Sequence, residues 1–322
     1  MRTPLPSGGP VIGRGRASDP QGRARQNGAV PTEVLAVLTA PDRDGPAASA
    51  PYGFLDGAAP LVAAKDLGVT RGEGVFETLG VNAGRAQAVE AHLARMQRSA
   101  AMLELPEPDL SAWRETLFAV VERLPADREA SVKLVYTRGA EGGDRPTGWA
   151  YGTTAPDHSA ARTRGLAVTV LDRGLPHDIT GTAPWLLQGA KTLSYAMNMA
   201  ALREARRRDA DDAVFVSSDD RLLEGPTSSL LLRFGDRLVT PSTSQGILPG
   251  TTQADAFRFA RGEGLTTSYE VLHRSALEQA DALWLLSSVR LAAPVRSVDG
   301  VERGVDAAFS GLLNAALLAR RE

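Results

Sequence analysis

Apolar and polar positions alternate with clear periods only after residue 31. Residues 1–31 show neither the two-residue period of a strand nor the 3.6-residue period of a helix, and read as a disordered Gly/Pro/Arg-rich extension. Five arginines there face one acid, Asp19, but Pro4, Pro6, Pro10 and Pro20 oppose the amphipathic helix of a transit peptide. Beyond it, the β-rich run 33–38 predicts a strand, 74–81 a second, and Asn82-Ala83-Gly84-Arg85 the turn to another. Leu93, Met96, Ala100 and Leu103 repeat at helical spacing and predict a helix over 90–103. A second helix is expected over 113–124 and a strand over 132–137.

Small and polar residues without a period fill 154–164, which reads as a linker. It divides an N-terminal α+β domain, 32–153, from a C-terminal domain, 165–322. The second half is expected to hold a strand at 166–171, a helix over 194–208, and hairpins about Ser218-Asp219-Asp220 and Gly235-Asp236. Helices over 251–261, 275–280 and 305–318 and a buried strand at 283–286 complete it. Strands and helices mix without strict βαβ alternation, so the fold class is α+β rather than a doubly wound sheet.

Composition narrows the function by exclusion. Net charge is -2 over 322 residues, which gives no general pull towards nucleic acid or an anionic membrane. The absence of cysteine removes disulfides, thiolate metal sites and a thiol nucleophile. The four histidines, His92, His158, His177 and His273, lie too far apart in sequence to suggest a metal centre. No apolar run approaches the ~20 residues of a membrane span, and a soluble protein is expected.

Only three of the 36 basic residues are lysine: Lys65, Lys133 and Lys191. An amine can lose its proton and attack a carbonyl, as a guanidinium cannot, so a lysine kept against this bias invites a chemical reading. Lys191 stands where an irregular segment meets a helix. The loop Gly246-Ile247-Leu248-Pro249-Gly250-Thr251-Thr252-Gln253 enters another helix and offers free N–H groups and two hydroxyls to an anion. Arg95 could reach the same anion, and Glu224 could face a pyridinium nitrogen. Each has a plainer reading: a solvated lysine, a threonine N-cap, an exposed helix arginine, a turn acid.

Taken together, five stretches resemble one family. They are Arg71-Gly72-Glu73-Gly74-Val75-Phe76-Glu77-Thr78, His92-Leu93-Ala94-Arg95-Met96, Lys191, Leu223-Glu224-Gly225-Pro226 and Leu248-Pro249-Gly250-Thr251-Thr252. In this order and spacing they look like the class IV aminotransferases, the fold-type IV pyridoxal-phosphate enzymes that include branched-chain and D-amino-acid aminotransferases and aminodeoxychorismate lyase. The resemblance covers roughly 50–300 and is nearest to the lyase branch through the surroundings of Lys191, Phe215-Val216-Ser217-Ser218-Asp219 and Thr137-Arg138-Gly139.

The resemblance implies two subdomains of the D-amino-acid aminotransferase-like architecture, with pyridoxal 5'-phosphate in the cleft between them. Lys191 would be the Schiff-base lysine, Glu224 the partner of the pyridine nitrogen, and Arg95 a phosphate ligand with Thr251, Thr252 and Ser288. Tyr195 would meet the cofactor's phenolic oxygen. Arg138 and Arg145, in a glycine-rich loop, would bind substrate carboxylate, or else be solvated loop charges. The implied reaction is conversion of 4-amino-4-deoxychorismate to 4-aminobenzoate and pyruvate for folate synthesis, in a cytoplasmic homodimer. The alternatives are a transaminase of D- or branched-chain amino acids and a cofactor-free binding protein.

Overall fold

The computed structural model describes residues 31–38 and 50–320. Apart from Pro31, the expected disordered extension lies outside them. The first sheet is built from β1 (Glu33–Leu38), β2 (Tyr52–Leu55), β3 (Gly74–Asn82), β4 (Arg85–Ala86), β5 (Ala130–Thr137) and β6 (Thr147–Thr154). Its order is β2-β1-β6-β5-β3-β4 and every pairing is antiparallel. Short α1 (Leu67–Thr70) starts from Asp66, whose carboxylate accepts from the Gly68 N–H. One face of the sheet is covered by α2 (Val89–Met102) and α3 (Leu110–Val121), around a core of Leu79, Leu93, Met96, Trp113, Leu117 and Leu134.

Within the expected linker, Ser159–Arg164 forms a helix, α4. Its Arg162 reaches back to Glu129 and forward to the carbonyls of Val289 and Arg290, joining the two halves. The segment looks structureless in sequence because six residues are less than two turns, too short to show a period.

The second sheet comprises β7 (Leu166–Asp172), β8 (Asp212–Val216), β9 (Ser229–Phe234), β10 (Arg237–Pro241), β11 (Thr266–Glu270), β12 (Ala282–Ser287), β13 (Leu291–Val298) and β14 (Val301–Glu302). Its order is β11-β10-β9-β12-β13-β7-β8, with β14 on β13. Both faces are buried, which explains the uninterrupted apolar runs. Leu230, Leu232, Leu283 and Leu285 point into one core, Leu231, Trp284 and Leu286 into another. The helices are α5 (Ile179–Thr182), α6 (Ala196–Arg207), α7 (Thr251–Gly262), α8 (Ala276–Gln279) and α9 (Ala307–Leu318). The two-sheet α+β architecture expected from the sequence is the one observed.

Candidate active site

Residues of β3 alternate, so Val75, Leu79 and Val81 enter the first core and carry Glu77 in with them, fully buried. Helix α2 brings the compensation. Alongside Leu93 and Met96 it buries His92, Arg95 and Ser99, a polar stripe at three- and four-residue spacing. Arg95 grips Glu77 with Nε–Oε1 and Nη2–Oε2 both at 2.7 Å, and His92 Nδ1 lies 2.7 Å from Oε2. Burial alone would raise the Glu77 carboxyl, but Arg95 and His92 outweigh it and hold it at about 2. Burial in turn lowers His92, which stays neutral. With Nδ1–H given to the carboxylate, its Nε2 lone pair faces the hydroxyls of Thr251 at 3.1 Å and Ser288 at 3.2 Å. Arg95 Nη1 also donates to the Pro249 carbonyl at 2.9 Å, tying α2 to the loop entering α7.

The same stripe fixes Lys191. Its N–H donates to Ser99 Oγ at 3.1 Å, its carbonyl accepts from Phe76 N–H at 3.0 Å, and Leu193 N–H reaches Gly74 O at 2.8 Å. The backbone is thus held by two elements of the first half while the side chain enters the cleft. Its Nζ stands 4.3 Å from the Phe76 ring centre and 5.6 Å from that of Tyr195, and the two rings meet edge to face. Burial pushes the ammonium down to about 8, so that roughly a tenth of it is neutral amine at pH 7, far more than at the ordinary lysine value. Tyr195 donates to the Pro226 carbonyl at 2.9 Å, and burial pushes its phenol up to about 12, so it remains protonated.

Glu224 lies beyond β8, where its carbonyl accepts from Phe215 N–H at 2.9 Å. Burial raises its carboxyl to about 7 against the opposing pull of Arg173 and the Leu248 N–H, which donates to Oε2 at 3.1 Å. At the start of α7 no side chain caps the helix, whose N-cap is Gly250. A Cβ there would lie 2.2 Å from Ser229 Oγ, so the position closes to any side chain and the backbone stays open to an anion. Thr252 Oγ1 is buried with no partner, an orphan at that same helix end.

Lys191, Arg95, Tyr195, Glu224, Thr251, Thr252 and Ser288 line one cavity of about 780 Å³ between the halves. They fit pyridoxal phosphate: an uncapped helix end with an orphaned hydroxyl for the phosphate, a buried carboxyl for the ring nitrogen, and a desolvated amine for the aldehyde. Arg138 and Arg145 do not line this cavity. Arg138 turns away, donating to Glu73 at 2.8 Å and to the Leu103 and Glu104 carbonyls at 2.6 and 3.1 Å, where it caps the C-terminal end of α2. Arg145 is exposed, in a loop folded back so closely that a Cβ at Gly139 would meet its carbonyl. The glycines close the loop on itself, and within the chain neither arginine reaches this cavity.

Sequence reasoning missed Glu77, His92, Ser99 and Phe76. The signals were present: a carboxylate in phase with Val75 and Leu79, and polar residues at 92, 95 and 99 on the apolar flank of a helix.

Residues 74–298 match the amino-transferase class IV family. A bifunctional aminodeoxychorismate lyase / D-amino acid transaminase of Mycobacterium tuberculosis is 42% identical over 81% of this chain and 95% of its own. A fold IV-transaminase from Curtobacterium pusillum superposes with a TM-score of 0.85 at 49% identity, covering 90% of this chain and 98% of that one. The PLP-bound form of a hypothetical aminotransferase from M. tuberculosis gives 0.80 at 40% identity, over 88% and 98%. With the family matched over most of its length and a relative 42% identical across 81% of it, the chain belongs to the class IV aminotransferase family.

Proposed function

We propose that the protein is a pyridoxal-phosphate-dependent 4-amino-4-deoxychorismate lyase, forming 4-aminobenzoate and pyruvate for folate synthesis. The observation that carries this reading is the Lys191 amine, desolvated between Phe76 and Tyr195 in a cavity it shares with Glu224. The 42% identity to a relative named for the lyase and a D-amino acid transaminase supports the choice. Thr251, Thr252, Ser288 and Arg95 would hold the phosphate, and Glu224 the ring nitrogen. Tyr195, its proton given to the Pro226 carbonyl, would lie beside the ring hydroxyl. Bound there, the cofactor supplies an electron sink for the carbon that bears the substrate amine.

Lys191, neutral, takes the hydrogen from that carbon as general base. The electron pair moves into the six-membered ring and the C–O bond to the enolpyruvyl group breaks. Enolpyruvate takes up a proton as pyruvate, and the ring is left aromatic. The second reading, transamination of D- or branched-chain amino acids with a 2-oxo acid acceptor, uses the same lysine, which would then both remove and return the proton. The relative's double name favours keeping it.

Among the described residues no helix is long and apolar enough to cross a membrane. Exposed Trp185, Leu186 and Met197 at the cleft mouth support a second copy of the chain there, and we assign a cytoplasmic homodimer. Incubation of holoenzyme with aminodeoxychorismate tests the function. Aminobenzoate and pyruvate should appear without added 2-oxo acid; amino transfer alone, requiring 2-oxoglutarate, would leave only the second reading.

A further inference from the structure

The pleat of the first sheet lays Thr78, Lys133 and Tyr151 side by side, each paired in register with the next. With Phe76, Ser131 and Thr153 they form the cleft wall that faces the second half. Lys133 is the one exposed residue of β5, in a row otherwise lined by hydroxyls. Its Nζ lies 6.0 Å from the centre of the Phe76 ring, the ring that also flanks Lys191.

The charges of the cavity separate Lys133 from the rest. Arg95 is bound by Glu77 and Arg290 by Asp212 at 2.7 Å, while Arg173, in the second half, meets the Gln188 side chain and the charge of Glu224. Glu224 is the one acid lining the cavity among the described residues, and it lies in the second half. Lys133 forms no ion pair among the described residues. An unpaired ammonium beside three hydroxyls, across one aromatic ring from the reacting amine, is arranged to take an anion carried by whatever reacts at Lys191.

We propose that Lys133 receives a carboxylate of the substrate, assisted by the hydroxyls of Thr78, Ser131 and Tyr151, and so sets a preference for dicarboxylic over monocarboxylic ligands. The inference rests on the reading that substrates react at Lys191. It replaces the Arg138 loop as the substrate-carboxylate site. Aminodeoxychorismate carries one carboxylate on its ring and another on its enolpyruvyl arm, and a 2-oxo diacid carries its second at the end of an open chain. A lysine, as a mobile point charge with three donors, accepts both geometries better than a planar fork would.

The test uses holoenzyme of the wild type, Lys133→Met and Lys133→Arg, with glutarate and butyrate as unreactive probes in calorimetric titrations. In the wild type glutarate should bind more tightly than butyrate. Lys133→Met should cut the ratio of glutarate to butyrate affinity by about 10- to 100-fold, the share of a charged hydrogen bond, with the cofactor spectrum unchanged. Lys133→Arg should recover part of the ratio, and the preference for 2-oxoglutarate over pyruvate as acceptor should move in parallel. An unchanged ratio in Lys133→Met, or equal weakening of both probes, would overturn the proposal. A wild type that makes no aminobenzoate would instead sink the lyase reading, while the probe titrations still decide the role of Lys133.

Discussion

The two walls of the cleft handle charge in opposite ways. On the wall towards the anion cup, Glu77, His92 and Arg95 are buried and satisfy one another before any ligand arrives. On the wall towards solvent, Lys133, Tyr151 and His158 stand partly open, and Lys133 has no carboxylate partner among the described residues. A group that is the same in every turnover can be met by charges locked in place, because locking removes their conformational entropy in advance. A substrate that varies is better met by a charge left mobile. One sheet serves both ends: β3 sends Glu77 to its core face and Phe76 and Thr78 to its cleft face, as the two-residue period dictates.

Lys191 joins the two walls, and its removal should have the largest effect. Lys191→Ala and Lys191→Arg should each lower aminobenzoate formation and amino transfer by at least ~10²- to 10⁴-fold, the range lost with a general base. The fold should persist, since no packing depends on the amine. The sign of the pH effect follows from the amine's depressed value: it is protonated below about 8 and nucleophilic above it. Reconstitution of apoprotein with pyridoxal phosphate, followed by visible absorbance, should therefore quicken as pH rises and level off above about 8. A rate indifferent to pH between 6 and 10, roughly two units either side of that value, would contradict the desolvated amine.

Substitution at Glu77 sharpens the contrast between the walls through stability instead. Glu77→Gln leaves Arg95 buried without its counter-charge, a loss of about 3 to 5 kcal/mol in denaturant unfolding. Lys133→Met, in the open wall, should change stability by only ~0.5 kcal/mol. Equal costs at the two positions would mean that pairing on the anion side is no more structural than the open charge. Arg95→Ala should weaken cofactor binding by about 1.5 to 3 kcal/mol, with activity partly restored by excess pyridoxal phosphate. Calorimetric titration of the apoprotein reads this directly.

How much of this was legible in sequence depends on how each element is buried. Helix α2 and strands β1, β3 and β5 bury apolar residues at regular spacing and were foreseeable from it. Strand β6 was not, because Gly148 and Gly152 break its pattern. Packing explains them: a Cβ at Gly152 would lie 2.6 Å from Val120 Cγ1 on α3, so the helix can approach only over glycine. Strand β13 hides for another reason. It carries Pro294 and two alanines, residues rare in strands, yet lies between β12 and β7 with Pro294 opposite Trp284. In the site, Lys191 was visible through lysine scarcity, and Glu224 and the threonines through the family's motifs. The triad of Glu77, His92 and Arg95 spans two elements 15 to 18 residues apart, and only the fold closes it.

Arg138 gives the smallest expected effect and the sharpest check on that limit. From sequence it belongs with the substrate, since two arginines in a glycine-rich loop resemble a flexible carboxylate clamp. In the structure its guanidinium meets Glu73 and the Leu103 and Glu104 carbonyls, just past the end of α2. The ion pair with Glu73 is about a third exposed on each side, and such pairs contribute about 0 to 1 kcal/mol. The carbonyl contacts add a helix-end interaction worth typically 0.3 to 1 kcal/mol. Arg138→Ala should therefore cost about 1 kcal/mol in stability and leave kcat/KM for aminodeoxychorismate within about twofold of wild type, too small a change to signal a lost charged contact. A tenfold rise in KM with an unchanged cofactor spectrum would return Arg138 to the substrate and leave the open wall without its distinguishing charge.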